Sequence, residues 1–168
     1  MTNKEKYAYI AGIIDGEGCI LIHNSVDKKN WVLRIVVCMQ SKKVMDTLVG
    51  ICGGRYYLIE TDGSNFAVYS WYLLGKNAYN LLKKIKPYLT EKKAQADLAT
   101  QFYVHQLNYF RKRQGKATAR IDEQEIERRE TYKLRLSKLK TAFLTPKSAP
   151  AETECENSVT GEATVQPS

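Results

Sequence analysis

Residues 8–18 read AYIAGIIDGEG, and no other run constrains this chain as tightly. Tyr7, Ile10, Ala11 and Ile14 repeat at helical spacing, and Thr2 followed by Glu5 forms a capping box. A helix is therefore expected over residues 2–15, ended by Gly16 and Gly18. Glycine inside a helix costs about 1 kcal/mol relative to alanine, so Gly12 needs a reason. Ala8, Gly12 and Gly16 recur every four residues, a small-residue stripe that lets a second helix backbone come close. Asp15 and Glu17 stand at the helix C-terminus, where the macrodipole is already negative and carboxylates are disfavoured. Two readings follow. Asp15-Gly16 is a helix cap and Glu17 a solvated turn residue, or a cation reverses the penalty. A hard divalent ion such as Mg²⁺ suits the second reading, because it takes one or two carboxylates, waters and substrate phosphates.

The rest of the chain sets that helix against a sheet. Residues 18–24 (GCILIHN) and 31–40 (WVLRIVVCMQ) are β-rich runs around a polar connection, which is a hairpin signature. Val44, Leu48, Ile51 and Cys52 give a helix stripe closed by Gly53-Gly54. A second hairpin is expected from residues 55–61 and 66–74 around Asp62-Gly63-Ser64. A helix after Gly75 ends before Pro87, and another spans 90–109, where Leu98, Phe102, His105 and Tyr109 read as ordinary core packing. Residues 111–120 (RKRQGKATAR) form a basic loop, and Asp122 begins a last helix with a seam at Tyr132, Leu136, Leu139 and Phe143. The order α-β-β-α-β-β-α plus helices implies an α+β fold with an antiparallel sheet, one face covered and one free. Alternation turns Tyr69, Trp71 and Leu73 inward with Leu33, Ile35 and Val37. The free face then carries His23, Ser25, Arg34, Val36, Cys38, Gln40, Arg55, Tyr57, Ser70 and Tyr72.

Net charge says what such a face would meet. The chain has 26 Lys+Arg against 18 Asp+Glu, a surplus of +8 that favours a polyanionic partner. The last 24 residues carry one lysine, four glutamates and three prolines with little that is bulky and apolar, a disordered acidic tail. That tail contributes −3, which leaves +11 on residues 1–144. Cys19, Cys38, Cys52 and Cys155 show no Cys-x-x-Cys spacing, and His23 and His105 stand apart, which argues against zinc and a disulfide framework. No apolar run reaches the ~18 residues of a membrane span, and the N-terminus lacks a signal sequence. An intracellular, reducing compartment without a membrane partner is expected. Three segments result: a core over residues 1–109, a basic loop and helix over 110–144, and the tail over 145–168.

The segment IAGIIDGEG, residues 10–18, closely resembles the nine-residue signature of the LAGLIDADG homing endonucleases, and the element order matches that family's core. The resemblance extends over about residues 7–105 and includes Pro87-Tyr88-Leu89 followed by Lys92-Lys93-Ala94-Gln95-Ala96. It implies a saddle-like four-stranded sheet with helices on one face and Mg²⁺-dependent hydrolysis of both strands of double-stranded DNA. Glu17 matches the family's metal-binding acid, and Gly16 would offer its backbone carbonyl. Asp15 joins the catalytic set as a residue more often structural. Lys92 matches an active-site lysine that stabilises phosphate charge or tunes the attacking water. Gln40, with Ser41 as the alternative register, lies near a polar residue that orders water. The basic residue that often follows has no match, because Val44 stands in one alignment and Lys42 or Lys43 must substitute.

One motif occurs, which resembles the homodimeric branch: Ala8, Ala11, Gly12 and Gly16 would pair two copies, each delivering one Glu17 to a long, roughly palindromic target. On the free face Arg34 and Arg55 suit guanine edges, with His23, Ser25, Tyr57, Ser70 and Tyr72 as supplementary contacts. Lys28, Lys29, Arg111, Arg113 and Lys116 suit phosphates. A cleavage-inactive protein of the same family, acting as an RNA-splicing maturase or a DNA-binding regulator, is the competing reading. Either places the chain in the cytoplasm or nucleoid of a microbe, in a phage-infected cell or in an organelle.

Overall fold

Thr2 opens the first helix, α1 (Asn3–Glu17), in the way its spacing from Glu5 requires. The Thr2 hydroxyl accepts from the Glu5 amide, and the Glu5 carboxylate accepts from the Thr2 amide. The helix does not stop at Asp15. It continues through Gly16 to Glu17, and Gly18 closes it by donating to the Ile14 carbonyl while already beginning β1 (Gly18–Asn24). A Cβ on Gly18 would lie 2.7 Å from both the Cα and the carbonyl oxygen of Ile14, so only glycine permits helix to become strand with no intervening loop. The computed structural model describes residues 1–25, 30–59, 67–113 and 121–141. The Asp62-Gly63-Ser64 turn, Phe143 and the acidic tail lie outside the described residues.

β1 pairs antiparallel with β2 (Trp31–Met39), followed by α2 (Lys42–Cys52), β3 (Arg55–Ile59) and β4 (Val68–Leu74). β4 pairs with both β3 and β2, giving the order β1-β2-β4-β3. Two hairpins thus meet through β2 and β4. Ile20, Ile22, Leu33, Ile35, Val37, Trp71 and Leu73 form the covered face and pack into one core with Ile10 and Ile14 of α1 and Leu48 of α2. The alternation read from the sequence therefore holds on the inner side. Trp71 is fully buried, and its indole N–H donates to the Gly53 carbonyl at 2.9 Å. Gly54 lies so close to this pair, at φ 86°, that a Cβ would sit 2.6 Å from the Tyr72 carbonyl oxygen.

α3 (Gly75–Ile85) and a short 3₁₀ turn (Lys86–Tyr88) lead to α4 (Lys93–Lys112) and α5 (Glu123–Thr141). α4 differs from the expected helix at its far end, because Arg111 and Lys112 are helical and not part of a loop. The boundary placed at residue 109 therefore falls inside α4, and α5 is no appendage. Leu136 of α5 joins the common core. Leu98 and Phe102 pack as read, but His105 and Tyr109 turn polar groups toward α5. His105 Nε2 lies 2.9 Å from the Glu125 carboxylate, which also accepts from Arg129 at 2.7 Å; Glu125 is 1% exposed and Arg129 0%. The Tyr109 hydroxyl donates to Asp122 at 2.8 Å. The amide of Glu125 and then this hydroxyl hold the Asp122 carboxyl below its ordinary value. A pair of charges buried together resists separation, since removing one partner strands the other.

Candidate nucleic-acid interface and the acid at the helix end

The last turn of α1 sends its two acids in different directions. Asp15 turns toward the start of α4, where its carboxylate oxygens accept from the backbone amides of Thr90 at 2.7 Å and Lys92 at 2.9 Å. Lys92 is the N-cap of α4, and that helix has no side-chain cap of its own, so a carboxylate from α1 supplies it. Lys92 returns the contact: its ammonium donates to the carbonyls of Ile14 at 2.9 Å and Asp15 at 2.5 Å. The negative end of α1 is therefore offset by a cation belonging to the chain. Asp15, grouped above with the catalytic residues, is a cap in this structure, because both of its oxygens are engaged with backbone. Glu17 is left exposed on the surface, and Lys92 leaves the Gly16 carbonyl untaken.

Beside this junction Gly18 pairs with Val37, so the end of β2 and the exposed Gln40 after it lie past the head of β1. The Ser41 hydroxyl accepts from the Val44 amide as the cap of α2, which leaves Gln40 as the polar side chain not used in capping. Lys42 is committed elsewhere. Its ammonium lies 3.0 Å from Asp46 and 5.7 Å from the Tyr56 ring centroid, while the Tyr56 hydroxyl donates to Asp46 at 2.6 Å. The Tyr56 and Asp46 contacts hold Lys42 well above its ordinary value. Of the two substitute lysines only Lys43 is exposed without such a partner in view. Among the described residues no group of three or more His, Cys, Asp or Glu side chains could hold a metal ion, so Glu17 offers a single carboxylate.

The outer face of the sheet carries a linked aromatic and basic set. The Arg34 guanidinium lies 5.2 Å from the Tyr72 ring centroid, and the Tyr72 and Tyr57 rings are 6.1 Å apart. Register explains the grouping, since Tyr72 lies between Val36 and Arg55, and Ser70 between Cys38 and Tyr57. His23, Arg55 and Tyr57 are exposed. Ser70 is not available as expected: it faces this side but is only 2% exposed, a short side chain among longer neighbours that accepts from the Cys38 thiol at 3.5 Å. Ser25 closes the mouth of the first hairpin, its hydroxyl accepting from the Asn30 amide at 3.0 Å. Arg113 stacks on Tyr109 with its guanidinium 5.1 Å from the ring centroid, and Arg111 is exposed in the last turn of α4. That turn is about 30 Å from Lys92 along the helix. Lys28, Lys29 and Lys116 lie outside the described residues.

On α1 the stripe of Ala8, Gly12 and Gly16 is exposed. A Cβ at Gly12 or Gly16 would meet nothing within 4 Å, so no packing among the described residues explains these glycines. Ala11 does not share the stripe. It is wholly buried with Ile10 and Ile14, because one helical step from Gly12 rotates it toward the core.

Two site features escaped the sequence reading. The mutual hold of Asp15 and Lys92 joins residues 77 apart, and nothing local marks it. The cluster of His105, Glu125 and Arg129 showed only as a helical spacing of Glu125 and Arg129, which ordinary surface pairs share.

No protein-family model matches the sequence, and no curated protein matches it. Solved structures are similar in shape. The homing endonuclease I-CvuI in complex with its target is 22% identical, with a TM-score of 0.63 over 82% of this chain and 83% of that one. The archaeal intron-encoded homing endonuclease I-Vdi141I complexed with DNA is 18% identical, with a TM-score of 0.62 over 88% of this chain and 89% of that one. The LAGLIDADG meganuclease I-AabMI bound to uncleaved DNA is 19% identical, with a TM-score of 0.59; the match covers 85% of this chain and 50% of that one. At such identities the likeness is one of fold.

The Asp15 clasp makes a stability prediction. Asp15→Ala strands two backbone amides at the start of α4 and should lower unfolding free energy by about 2 kcal/mol, as expected for lost hydrogen bonds to a charged acceptor. Urea denaturation measures it, and an unchanged midpoint would show that the clasp holds nothing.

Proposed function

We propose, from the premise that this chain has the LAGLIDADG homing-endonuclease fold, that the protein is a sequence-specific DNA endonuclease. Two copies act together, each hydrolysing one phosphodiester of a long, roughly palindromic duplex with Mg²⁺. The observation that carries this reading is the placement of Glu17: an exposed carboxylate at the junction of α1 and β1, in the helix turn whose carbonyls hold Lys92 and at the head of a sheet face bearing Arg34, Arg55 and His23. An acid in that position is ill suited to holding DNA and well suited to chemistry on it.

The donors fit a hard divalent ion. The Glu17 carboxylate and the Gly16 carbonyl are oxygen ligands, and a substrate phosphate and waters would complete the set. Bound there, the ion supplies Lewis-acid stabilisation of the phosphate and a more acidic water. Lys92, whose ammonium is held at the carbonyls of Ile14 and Asp15 in the same helix turn, would hold negative charge developing on the phosphate. Gln40 would orient the water. One carboxylate per copy matches a requirement for two copies, and coverage of half of the I-AabMI chain supports a working unit built from two such folds. The open stripe of Ala8, Gly12 and Gly16 provides the face on which they meet.

DNA would lie along the outer face of the sheet. Arg34, preset by the Tyr72 ring, and Arg55 suit the O6 and N7 edge of guanine, with His23, Tyr57 and Tyr72 beside them. Lys28, Lys29, Arg111 and Lys116 would contact phosphates, and binding would weaken steeply with salt.

Two outcomes test this. With Mg²⁺ the wild type should linearise a plasmid carrying an intron-insertion-type site, while Glu17→Gln binds that site with an unchanged Kd and does not cut it. Binding by the wild type with no cutting of its cognate site would replace the nuclease by a DNA-binding regulator or an RNA-splicing maturase. Gly12→Ala should stabilise an isolated copy by about 1 kcal/mol, the helix-propensity difference, yet weaken self-association. Sedimentation of wild type and variant with DNA decides this, and equal dimerisation would contradict the pairing face.

A further inference from the structure

Gln95 has an unusual place in α4. It is the third residue of the helix, where a glutamine ordinarily reaches back to the amide of the N-cap residue. Here that amide belongs to Lys92 and is already bonded to Asp15 from α1 at 2.9 Å. The glutamine is thus displaced from its usual partner by a contact from another helix. Its side chain is 2% exposed, and its Oε1 is buried with no hydrogen-bond partner among the described residues. A buried acceptor left in that condition costs about 1–3 kcal/mol unless something satisfies it.

The same residue lines a cleft of about 310 Å³ with Asp15, Gly18, Glu91, Lys92 and Lys140. Lys140 reaches in from α5, its ammonium 3.0 Å from the Cys19 sulfur. Lys92 brings a spare donor: an ammonium has three N–H groups, and two are spent on the carbonyls of Ile14 and Asp15. The residue with the orphaned acceptor and the residue with the unspent donor therefore line one cleft with ample room for water.

We propose that an ordered water in this cleft bridges Gln95 Oε1 and the third N–H of Lys92, which makes Gln95 a positioning residue for the lysine. No bond is made or broken at this water. It fixes the Lys92 side chain in the rotamer that reaches the end of α1, so that the ammonium stays on the carbonyls of Ile14 and Asp15 when a phosphate arrives. Gln95 acts only through Lys92 and touches neither DNA nor the reacting atoms. The kinetic part of the inference rests on the nuclease reading, whereas the water itself does not.

The test has two arms. A crystal structure of the wild-type protein at a resolution that shows solvent should reveal a water within hydrogen-bonding distance of both Gln95 Oε1 and Lys92 Nζ. No density there, or the Lys140 ammonium in its place, overturns the proposal whether or not the protein cuts DNA. In single-turnover cleavage, Gln95→Leu, of similar size without an acceptor, should cut about tenfold more slowly at unchanged Kd for DNA and unchanged Tm, in line with lost outer-shell contacts elsewhere. Gln95→Glu keeps an acceptor oxygen and should recover most of the rate. A leucine variant that cuts like the wild type, or whose loss tracks Kd or Tm, also overturns it. If the wild type cuts nothing, the nuclease reading fails and the water density alone decides the bridge.

Discussion

A helix that turns into a strand without a loop must be held at the point of change, and the rest of this molecule is arranged around that hold. Gly18 makes the change sterically possible, because any Cβ there would overlap the backbone of Ile14. Asp15 and Lys92 make it rigid by exchanging caps: the carboxylate at the end of α1 satisfies amides at the start of α4, and the ammonium at the start of α4 satisfies carbonyls at the end of α1. Each group stands where the dipole of the other helix favours its charge. The chain thereby fixes the direction in which Glu17 leaves the fold.

That fixed direction gives the sheet its meaning. Both hairpins put their apolar side chains against the helices, so charged and aromatic groups collect on the other face, with Glu17 at its head. Arg34 is held by Tyr72, which leans toward Tyr57, so this face is ordered before any partner arrives. A preset side chain loses less freedom on binding and discriminates better between bases. Behind the sheet, His105 of α4 meets the buried carboxylate of Glu125 in α5, and α5 in turn carries Lys140 to the cleft beside the junction.

Much of this was legible in the sequence where one local rule decides the outcome. The capping box at Thr2 and Glu5, the alternation of Leu33, Ile35 and Val37, and the glycines after α2 each depend on neighbours a few residues away. The failures were of a different kind. Ala11 was grouped with the exposed stripe because it is small, but its angle around the helix places it in the core. Ser70 was set outside by alternation, correctly for its face, yet the cross-strand residues around a short side chain decide exposure. Asp15 looked like chemistry or a cap until its partners, 75 and 77 residues away, appeared at α4. His105 read as core because periodicity reports the side of a helix that is covered and not what covers it. Local pattern reaches as far as the element; contacts between elements decide which of two acids in one turn is structure and which is left free.

The proposed function requires that two copies of one helix each deliver a Glu17 that holds the metal for cutting one strand of a palindrome-like duplex. The most direct measurement is to incubate the protein and Mg²⁺ with a randomised library of palindromic duplexes and sequence the ends produced. The account predicts paired breaks, one per strand, symmetrically placed about the centre of an enriched two-fold site. Breaks on one strand only, or ends with no common sequence around them, would contradict it.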